Sequence, residues 1–529
     1  MSDTQQNKPL TAFVSFPSPY TQSLIVQALV STLPALNLSL APFPEDQPPA
    51  LQWADYDLLS FDLPHSNPTE YLISSYIYRK ALIRKHQLHS TITSYLAKCQ
   101  HRGVKSVLAD GGVPKGWTVD IQFADELDEI LMDDLYELAD GMRENEDKEE
   151  RDRRWWILKP GFADRAQGIR MFSTEDELRA VFEEFEPPSS DEEDEDEEED
   201  VDENEDEDNE GNVTSLKDTV DDSLQALAKK AAEMGFGDDD KPGPDENDED
   251  EDGTGVMTSQ LRHFVIQEYM PRPVLFDIAQ VANEPSSHPL TGYKFHLRSY
   301  VLLTGGYTVH VARTMLALFS GSPFVPPIAD DGEMDLRPHL TNTCLQTDAY
   351  GAPTPPEELV KLFWELEGLS GLAESSSGKY EERGVVTKQW LEEVFGKVGD
   401  VVAESIKAGA ECGSFGLQLM PNAFEIFGVD LLLSFPPPSS TDSSSMLPIP
   451  TVTLLEFNAS PDFHQSGNRL RPQLLEMFKG VIRISVAPFF KLETNGEKSA
   501  STEEDEWELG AERWGWRLAG KGEVRGSGW

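Results

Sequence analysis

Cysteine is scarce in this sequence. Its 529 residues contain three cysteines, Cys99, Cys344 and Cys412, which lie far apart and form no CxxC pair. Scattered single cysteines argue against a disulfide framework and against a zinc site of the usual spacing. We therefore expect a protein of a reducing compartment.

Long apolar runs are missing as well. No stretch of about 20 apolar residues occurs, which is the length that a membrane-spanning helix needs. The polar start, MSDTQQNKPL, lacks the apolar core of a signal peptide. These two absences predict a protein that stays in the cytoplasm.

Positive charge is in short supply. The chain has 44 basic and 96 acidic residues, a net charge of -52, and residues 187–256 alone hold 31 acidic residues against 4 lysines. Such a surface repels nucleic acid and anionic membranes, so neither is an expected partner. The run cannot bury enough apolar surface to fold, and we predict a long acidic disordered insertion. It is either a docking segment for basic partners or a tolerated, solvated insertion.

The patterns that are present indicate α/β and α+β structure. TAFVSF followed by TQSLIVQALVSTL predicts a strand and then a helix, and DYDLLSFDLP predicts another strand. KFHLRSYVLLTGGYTVHVARTMLALF predicts two strands that turn at Gly305 and Gly306. TKQWLEEVFGKVGDVVAESIKAGA predicts a helix, and the charged, glycine-rich tail after residue 495 predicts disorder.

Polar residues interrupt two apolar runs near the C-terminus. Glu456 and Asn458 in LLEFN are two residues apart, so in a strand they share a face, and FGVDLLLSF places Asp430 in the preceding run. If the two runs pair as a hairpin, three oxygen donors meet. A polar strand end would explain any one of them, but two buried carboxylates without a cation are costly, and Mg²⁺ prefers such ligands.

Several cations are candidates for binding phosphate. Lys159 precedes a loop that contains Gly161 and Gly168, an arrangement that also suits an ordinary turn. Lys294 and Arg298 share one face of KFHLRSY, with His296 between them. They either lie on a solvent-exposed strand face or stabilise a transferred phosphoryl group. In HLTN, Thr341 and Asn342 suit phosphate or metal binding, although such residues more often form a turn.

Basic residues cluster on one predicted helix of this acidic chain. YLISSYIYRKALIRKHQLHSTITSYLAKC has apolar residues at helical spacing, interleaved with Arg79, Lys80, Arg84 and Lys85. These side chains either form a solvated face or contact an anion or acidic polypeptide. The two interpretations carry equal weight.

Taken in order, the lysine and glycine loop, VIQEYM, KFHLRSY, HLTN, GVD and LEFN resemble the tubulin-tyrosine ligase family of ATP-grasp enzymes, in its fungal type. The resemblance covers roughly residues 70–490. It implies an ATP-grasp fold in which an N-terminal α/β domain (1–68) precedes a central domain (69–285) with the insertion. A C-terminal domain (290–495) and a disordered tail (496–529) would complete it, with ATP clamped between antiparallel sheets.

The resemblance also implies an activity and its residues. The activity would be an ATP-dependent ligase that activates a carboxylate as an acyl-phosphate and joins an amino acid to it. Lys159 and Lys294 would contact ATP phosphates, Gln267 and Met270 the adenine, and Arg298 the acyl-phosphate. Asp430, Glu456 and Asn458 would bind Mg²⁺. The basic helix would meet an acidic polypeptide acceptor, the tubulin C-terminal tail by default, and a free amino acid would be the second substrate of a monomer.

Two departures from the family pattern concern specificity. The family usually has Asp where this chain has His296, and an expected arginine is replaced near Leu318. Two alternatives therefore stay open: a ligase that adds glutamate or glycine to another protein, and a nucleotide-binding interaction protein without turnover.

Overall fold

The computed structural model describes eleven stretches of the chain. They are residues 9–33, 35–44, 46–161, 167–185, 263–281, 289–328, 334–347, 351–375, 378–436, 446–495 and 507–522. The predicted acidic insertion, residues 187–256, lies outside the described residues, as does most of the loop between Gly161 and Gly168.

Strands and α-helices are numbered along the described chain. The strands are β1 (Leu10–Ser15), β2 (Leu36–Ser39), β3 (Leu51–Ala54), β4 (Leu72–Ile73), β5 (Gly116–Asp120), β6 (Trp156–Pro160), β7 (Arg170–Phe172), β8 (His263–Glu268), β9 (Phe295–Thr304), β10 (Thr308–Phe319), β11 (Val360–Leu362), β12 (Ser370–Glu374), β13 (Tyr380–Val385), β14 (Phe424–Ser434), β15 (Thr451–Asn458), β16 (Glu512–Arg513) and β17 (Trp516–Lys521). The α-helices are α1 (Pro19–Thr32), α2 (Asp62–Ser66), α3 (Lys80–Ile83), α4 (Lys85–Arg102), α5 (Leu127–Met132), α6 (Tyr136–Arg143), α7 (Glu175–Glu184), α8 (Ile278–Val281), α9 (Pro356–Leu359), α10 (Lys388–Cys412), α11 (Arg471–Val481) and α12 (Ala487–Phe490).

Contacts divide the chain into two compact units. One comprises residues 1–115 and 270–529, and the other comprises residues 116–269. The predicted boundaries at 68–69 and 285–290 both fall within the first unit. The three-domain division therefore stays a prediction.

A large antiparallel sheet dominates the first unit. Its strand order is β15-β14-β9-β10-β17-β16, and β11 pairs with β10. The β9–β10 hairpin confirms the turn predicted at the two glycines, and Gly305 has φ +58, which favours glycine there. The β14–β15 pairing confirms the second predicted hairpin.

Alternating side chains of this sheet enter two apolar clusters. On β9, Leu297 and Val301 belong to one cluster, and Tyr300 and Leu302 belong to the other. Because successive strand residues point to opposite faces, both faces of the sheet are buried. The predicted helix, α10, packs into the first cluster, and the Thr387 side chain caps its N-terminus.

The chain begins, as predicted, with a strand and a helix. β1 lies between β2 and β3 in a parallel sheet that β4 completes, and α1 follows β1. The prediction of a strand in DYDLLSFDLP is wrong. Residues Tyr56–Leu58 form a 3₁₀ turn and Asp62–Ser66 form α2, whereas the strand is the preceding Leu51–Ala54.

The second unit contains an antiparallel sheet of order β5-β8-β6-β7. β6 and β7 are the strand, loop and strand predicted around Lys159. Three helices, α5, α6 and α7, supply apolar residues to its core, which includes Trp156 and Phe264. The Thr174 side chain and Glu177 form a capping box at the start of α7.

Disorder throughout the tail is a wrong prediction. Residues 507–522 include β16 and β17, and β17 pairs with β10 along the large sheet. Trp516 is fully buried, and its indole nitrogen donates a hydrogen bond to the Met477 carbonyl at 3.0 Å. The alternation of Trp516, Leu518 and Gly520 was the strand signal, masked by the charges around it.

The basic helix is shorter than predicted. Helical structure begins at Lys80, breaks at Arg84, which has extended backbone angles, and resumes in α4.

In the described ranges, no helix has both the length and the apolar content that crossing a membrane requires.

Candidate active site

The register of three neighbouring strands brings the predicted site residues of the large sheet together. Asp430 on β14 lies opposite Arg298 on β9 and opposite Glu456 on β15. Asn458 lies opposite Gly428, two residues from Asp430 along β14. The convergence expected from the LLEFN pattern is therefore present in the fold.

Asp430 is the centre of a hydrogen-bonded group. The Arg298 guanidinium donates two hydrogen bonds to it, from Nε to Oδ1 and from Nη2 to Oδ2, the latter at 2.9 Å. Asn458 Nδ2 also donates to Asp430 Oδ2, at 3.2 Å. Burial by itself would lower the pKa of Arg298, but the charge and hydrogen bonds of Asp430 raise it above its ordinary value. The arginine therefore stays charged.

Glu456 connects this group to the basic helix. Lys85, the first residue of α4, approaches Glu456 with Nζ at 3.2 Å from Oε2, and both side chains are about one-fifth exposed. One of the four residues that we assigned to the acceptor thus lies against one of the three assigned to Mg²⁺. No local sequence pattern indicates this contact.

The HLTN loop packs against the start of β9. His296 Nδ1 lies 2.6 Å from Thr341 Oγ1, and its Nε2 lies 3.7 Å from Asp430 Oδ1. Lys294 Nζ donates to the His339 carbonyl at 2.8 Å. Burial lowers the pKa of His296, and burial followed by the charge of Lys294 lowers that of His339 to about 3. Both imidazoles are therefore neutral near pH 7.

The second unit holds Lys159, Gly161, Gly168 and Gln267, whereas Met270 is the residue at which the chain returns to the first unit. Lys159 Nζ donates to Gln267 Oε1 at 2.8 Å, across the pairing of β6 with β8. The Gly161 N–H donates to the His263 carbonyl at 2.7 Å, so that this particular N–H already has a backbone acceptor. Gly168 has φ +66, and a Cβ there would lie 2.8 Å from Pro160. Only glycine suits that position.

Arg79 lies elsewhere than the acceptor prediction requires. It pairs with buried Glu425 at 3.1 Å, donates to Ser75 at 2.7 Å and covers the Tyr56 ring at 3.7 Å. Its guanidinium is therefore committed to packing within the first unit. The assignment of Arg79 to the acceptor therefore stays a prediction, which these contacts do not favour.

The donor set on β14 and β15 fits Mg²⁺ in chemical type. Among the described residues, no group of three or more His, Cys, Asp or Glu is placed to hold a metal. Mg²⁺, however, commonly takes only one or two carboxylates and completes its coordination with phosphate and water. Asp430 and Glu456 supply two carboxylates and Asn458 an amide oxygen, so the residues present match that requirement.

Comparison with known proteins agrees with these observations. The model of the tubulin-tyrosine ligase family matches residues 65–494. The chain belongs to the tubulin-tyrosine ligase family. A Schizosaccharomyces pombe protein described as a probable tubulin–tyrosine ligase is 30% identical over 494 residues, covering 93% of this chain and 95% of that protein.

A second curated member of the tubulin-tyrosine ligase family is longer. The Saccharomyces cerevisiae protein described as probable tubulin–tyrosine ligase PBY1 is 31% identical over 489 residues, covering 90% of this chain. The matched region is 52% of the yeast protein, so this chain spans about half of that relative's length.

A solved structure shares the fold of this family member. It is the C-terminal domain of Kluyveromyces lactis (K. lactis) Pby1, described as an ATP-grasp enzyme that interacts with the mRNA decapping enzyme Dcp2. The TM-score is 0.52 at 24% identity, covering 97% of this chain and 99% of that one. The fold is therefore ATP-grasp, as predicted. Family and fold together support an ATP-dependent ligase.

Proposed function

We propose that this protein is an ATP-dependent carboxylate–amine ligase that activates a protein carboxylate and joins an amino acid to it. The observation that carries the proposal is the polar group on one sheet face, where Arg298 holds Asp430 and Glu456 lies opposite Asp430. Burying these charges lowers stability relative to a sheet with apolar residues at the same positions. A function that requires the charges explains why they are present.

The nucleotide and metal assignments follow from the family resemblance and the positions above. Mg²⁺ would be held by Asp430, Glu456 and Asn458, and when bound it would neutralise phosphate charge. The residues assigned to ATP are Lys159, Gly161, Gly168, Gln267, Met270, Lys294, Thr341 and Asn342. Within this set, the Gly161 N–H bonds the His263 carbonyl, Thr341 bonds His296, Lys159 bonds Gln267 and Lys294 bonds the His339 carbonyl.

The reaction needs no protein nucleophile. The γ-phosphoryl group of ATP passes to a carboxylate oxygen of the acceptor, and the resulting acyl-phosphate is attacked at carbon by an amine. The amide forms, phosphate leaves and the amine releases a proton. Arg298 is suited to hold the acyl-phosphate, since a guanidinium presents several fixed donors and stays charged throughout. Lys294 adds a second positive charge at the start of β9.

An acidic polypeptide is the proposed acceptor. Lys80 is exposed at the start of α3, and half-buried Arg84 directly precedes Lys85, which contacts Glu456. In a chain of net charge -52, a local basic track is what an acidic polypeptide requires in order to approach. The tubulin C-terminal tail is one candidate of this chemistry, suggested by the family name.

Intact-mass analysis tests the proposal most directly. The protein is incubated with ATP, Mg²⁺, a mixture of amino acids and candidate acidic acceptors, and ADP release is followed in parallel. We expect acceptor-dependent ADP release and a mass increment equal to one amino acid residue. ADP release that no acceptor stimulates would refute ligation. The increment also distinguishes tyrosine from glutamate or glycine, an alternative that the changes at His296 and Leu318 favour.

A second candidate is a nucleotide-binding interaction protein without ligase turnover. The observation in its favour is the K. lactis Pby1 domain, which is described by its interaction with a decapping enzyme. This candidate predicts saturable Mg-ATP binding with no mass increment on any acceptor. The same two measurements therefore separate the candidates.

A further inference from the structure

A cavity of about 240 Å³ lies beside the β9–β10 turn in the first unit. β17, the segment around α12 and residues 507–514 enclose it. None of the fourteen described residues that line it is acidic, whereas Arg483, Arg513 and Lys521 are basic. In so acidic a chain, this composition favours a negatively charged occupant.

Two buried nitrogen atoms in the cavity wall have no hydrogen-bond partner among the described residues. His310 is 2% exposed, and neither its Nδ1 nor the buried Nε of Arg483 has a partner in the described part of the chain. Burial lowers the pKa of His310 to about 4, so its ring is neutral and serves as a hydrogen-bonding group. Buried polar atoms are nearly always satisfied, and these two would be satisfied by a ligand.

Aromatic rings form one side of the cavity. The Trp507 ring lies 4.8 Å from the His310 ring and meets Trp514 edge-on at 5.8 Å. Trp507 Nε1 donates to the Ala511 carbonyl at 3.1 Å, which fixes the indole. These tryptophan rings favour an occupant with a planar ring that stacks against them.

The turn between β16 and β17 holds Trp514 in an unusual conformation. Trp514 and Gly515 have φ values of +51 and +78, as the two central residues of a type I′ hairpin require. Asparagine or glycine is usual at the first position, and a bulky residue there is strained. Strain maintained at a cavity rim is a reason to look for function.

We propose that this cavity binds a small molecule that combines a planar ring with an anionic group. The ring would stack against the tryptophans, while the carboxylate or phosphate would meet Arg483 and the unpartnered nitrogen of His310. A volume of about 240 Å³ suits a molecule of one or two rings. Thr304, in the cavity wall, is six residues from Arg298 along β9, or roughly 20 Å. The cavity is therefore separate from the candidate active site.

Calorimetric titration of the full chain tests this proposal. The probes are adenosine 5′-monophosphate for a phosphate source and indole-3-acetate for a carboxylate source, with adenosine and indole as uncharged counterparts. We expect one anion to bind, and its uncharged counterpart to bind at least roughly tenfold more weakly, as a charge-assisted hydrogen bond implies. Which anion binds identifies the source.

Variants place the binding in this cavity. Arg483→Gln and Trp514→Gly should each weaken binding by roughly tenfold or more. Lys479→Gln, one helical turn before Arg483 and paired with surface Glu476, should not. Trp514→Gly removes the strained φ and should fold at least as well as the parent, so it decides the test even if Arg483→Gln unfolds. Absence of binding by both anions at millimolar concentration, or equal affinity in the parent and Trp514→Gly, would overturn the proposal.

Discussion

Replacing Glu456 with Gln separates a metal-binding role from a structural one. Gln keeps the shape and one oxygen but removes the charge. In the folded protein the lost interaction is the pair with Lys85 at 3.2 Å, in which both side chains are about one-fifth exposed. Gln can still accept a hydrogen bond from Lys85, so the free energy of unfolding should fall by only about 1–2 kcal/mol and the melting temperature by a few degrees.

The expected effect on Mg-ATP binding is larger. Two unit charges 4 Å apart interact by about 4 kcal/mol at an effective dielectric constant of 20. Water and the other ligands reduce that value, and a remaining loss of about 1.4 kcal/mol already weakens binding tenfold. The assay is calorimetric titration with ATP, with Mg²⁺ and with a chelator. Binding should fall at least tenfold with Mg²⁺ and change little without it.

Glu476→Gln is the matched control. It makes the same substitution in another lysine–glutamate pair, with Lys479 at 2.8 Å, on the surface of α11. It should leave both melting temperature and Mg-ATP affinity near those of the parent. If Glu456→Gln binds Mg-ATP as tightly as the parent, or unfolds while the control does not, the metal assignment to Glu456 is wrong.

Three further predictions concern the acceptor, a buried ion pair and the tail. Arg84→Glu should raise the acceptor concentration needed for half-maximal ADP release while leaving Mg-ATP affinity unchanged, because the ion pair with Glu456 is made by Lys85, the residue after it; a parallel loss of acceptor use and Mg-ATP affinity would exclude acceptor docking. Arg79→Ala should lower the free energy of unfolding at pH 7 by about 3–5 kcal/mol, because it leaves the buried carboxylate of Glu425 uncompensated. Burial already raises the pKa of Glu425, so the carboxyl is protonated as the pH falls through that raised pKa, and the variant should then regain stability relative to the parent. Denaturant unfolding between pH 7 and pH 5 measures this difference. A loss of stability that does not depend on pH would contradict the reasoning. Trp516→Ala should cost about 3–5 kcal/mol in the same assay, since the indole is fully buried, and a loss below 1 kcal/mol would show that the tail contributes little.

Local sequence patterns predicted the strands that form the site. The alternation in LLEFN placed Glu456 and Asn458 together, and the intervening loop implied a hairpin with the strand of Asp430. These predictions succeed because side chains along a strand alternate between its two faces and because a hairpin pairs strands that follow each other in the sequence. The chemistry of the two carboxylates indicated Mg²⁺, and the family resemblance added what neither alternation nor ligand type contains, namely the assignment of ATP.

Contacts between distant segments could not be predicted in this way. Arg79 and Glu425 are 346 positions apart, and nothing near either residue in the sequence indicates the other. The same holds for Lys85 and Glu456, whose pairing depends on how α3, which directly precedes Lys85 and Arg84, packs beside β15. In the tail, the charges around Trp516 obscured a six-residue strand whose stability comes from packing on α11 rather than from its own composition.

The two departures from the family pattern occupy one place in the fold. His296 on β9 lies directly opposite Leu318 on β10, and both are buried. The resemblance implies an aspartate at the first position and an arginine near the second, which would be opposite charges on facing strands. Removing one member of a buried ion pair leaves the other charge uncompensated and lowers stability by about 3–5 kcal/mol, whereas replacing both members is often neutral. We therefore interpret the two departures as a coupled replacement, and the neutral His296 ring bonds Thr341 of the HLTN loop. Because the group around Asp430, Arg298 and Glu456 is present beside it, we expect the change, in the proposed reaction, to alter which substrate is joined rather than how the carboxylate is activated.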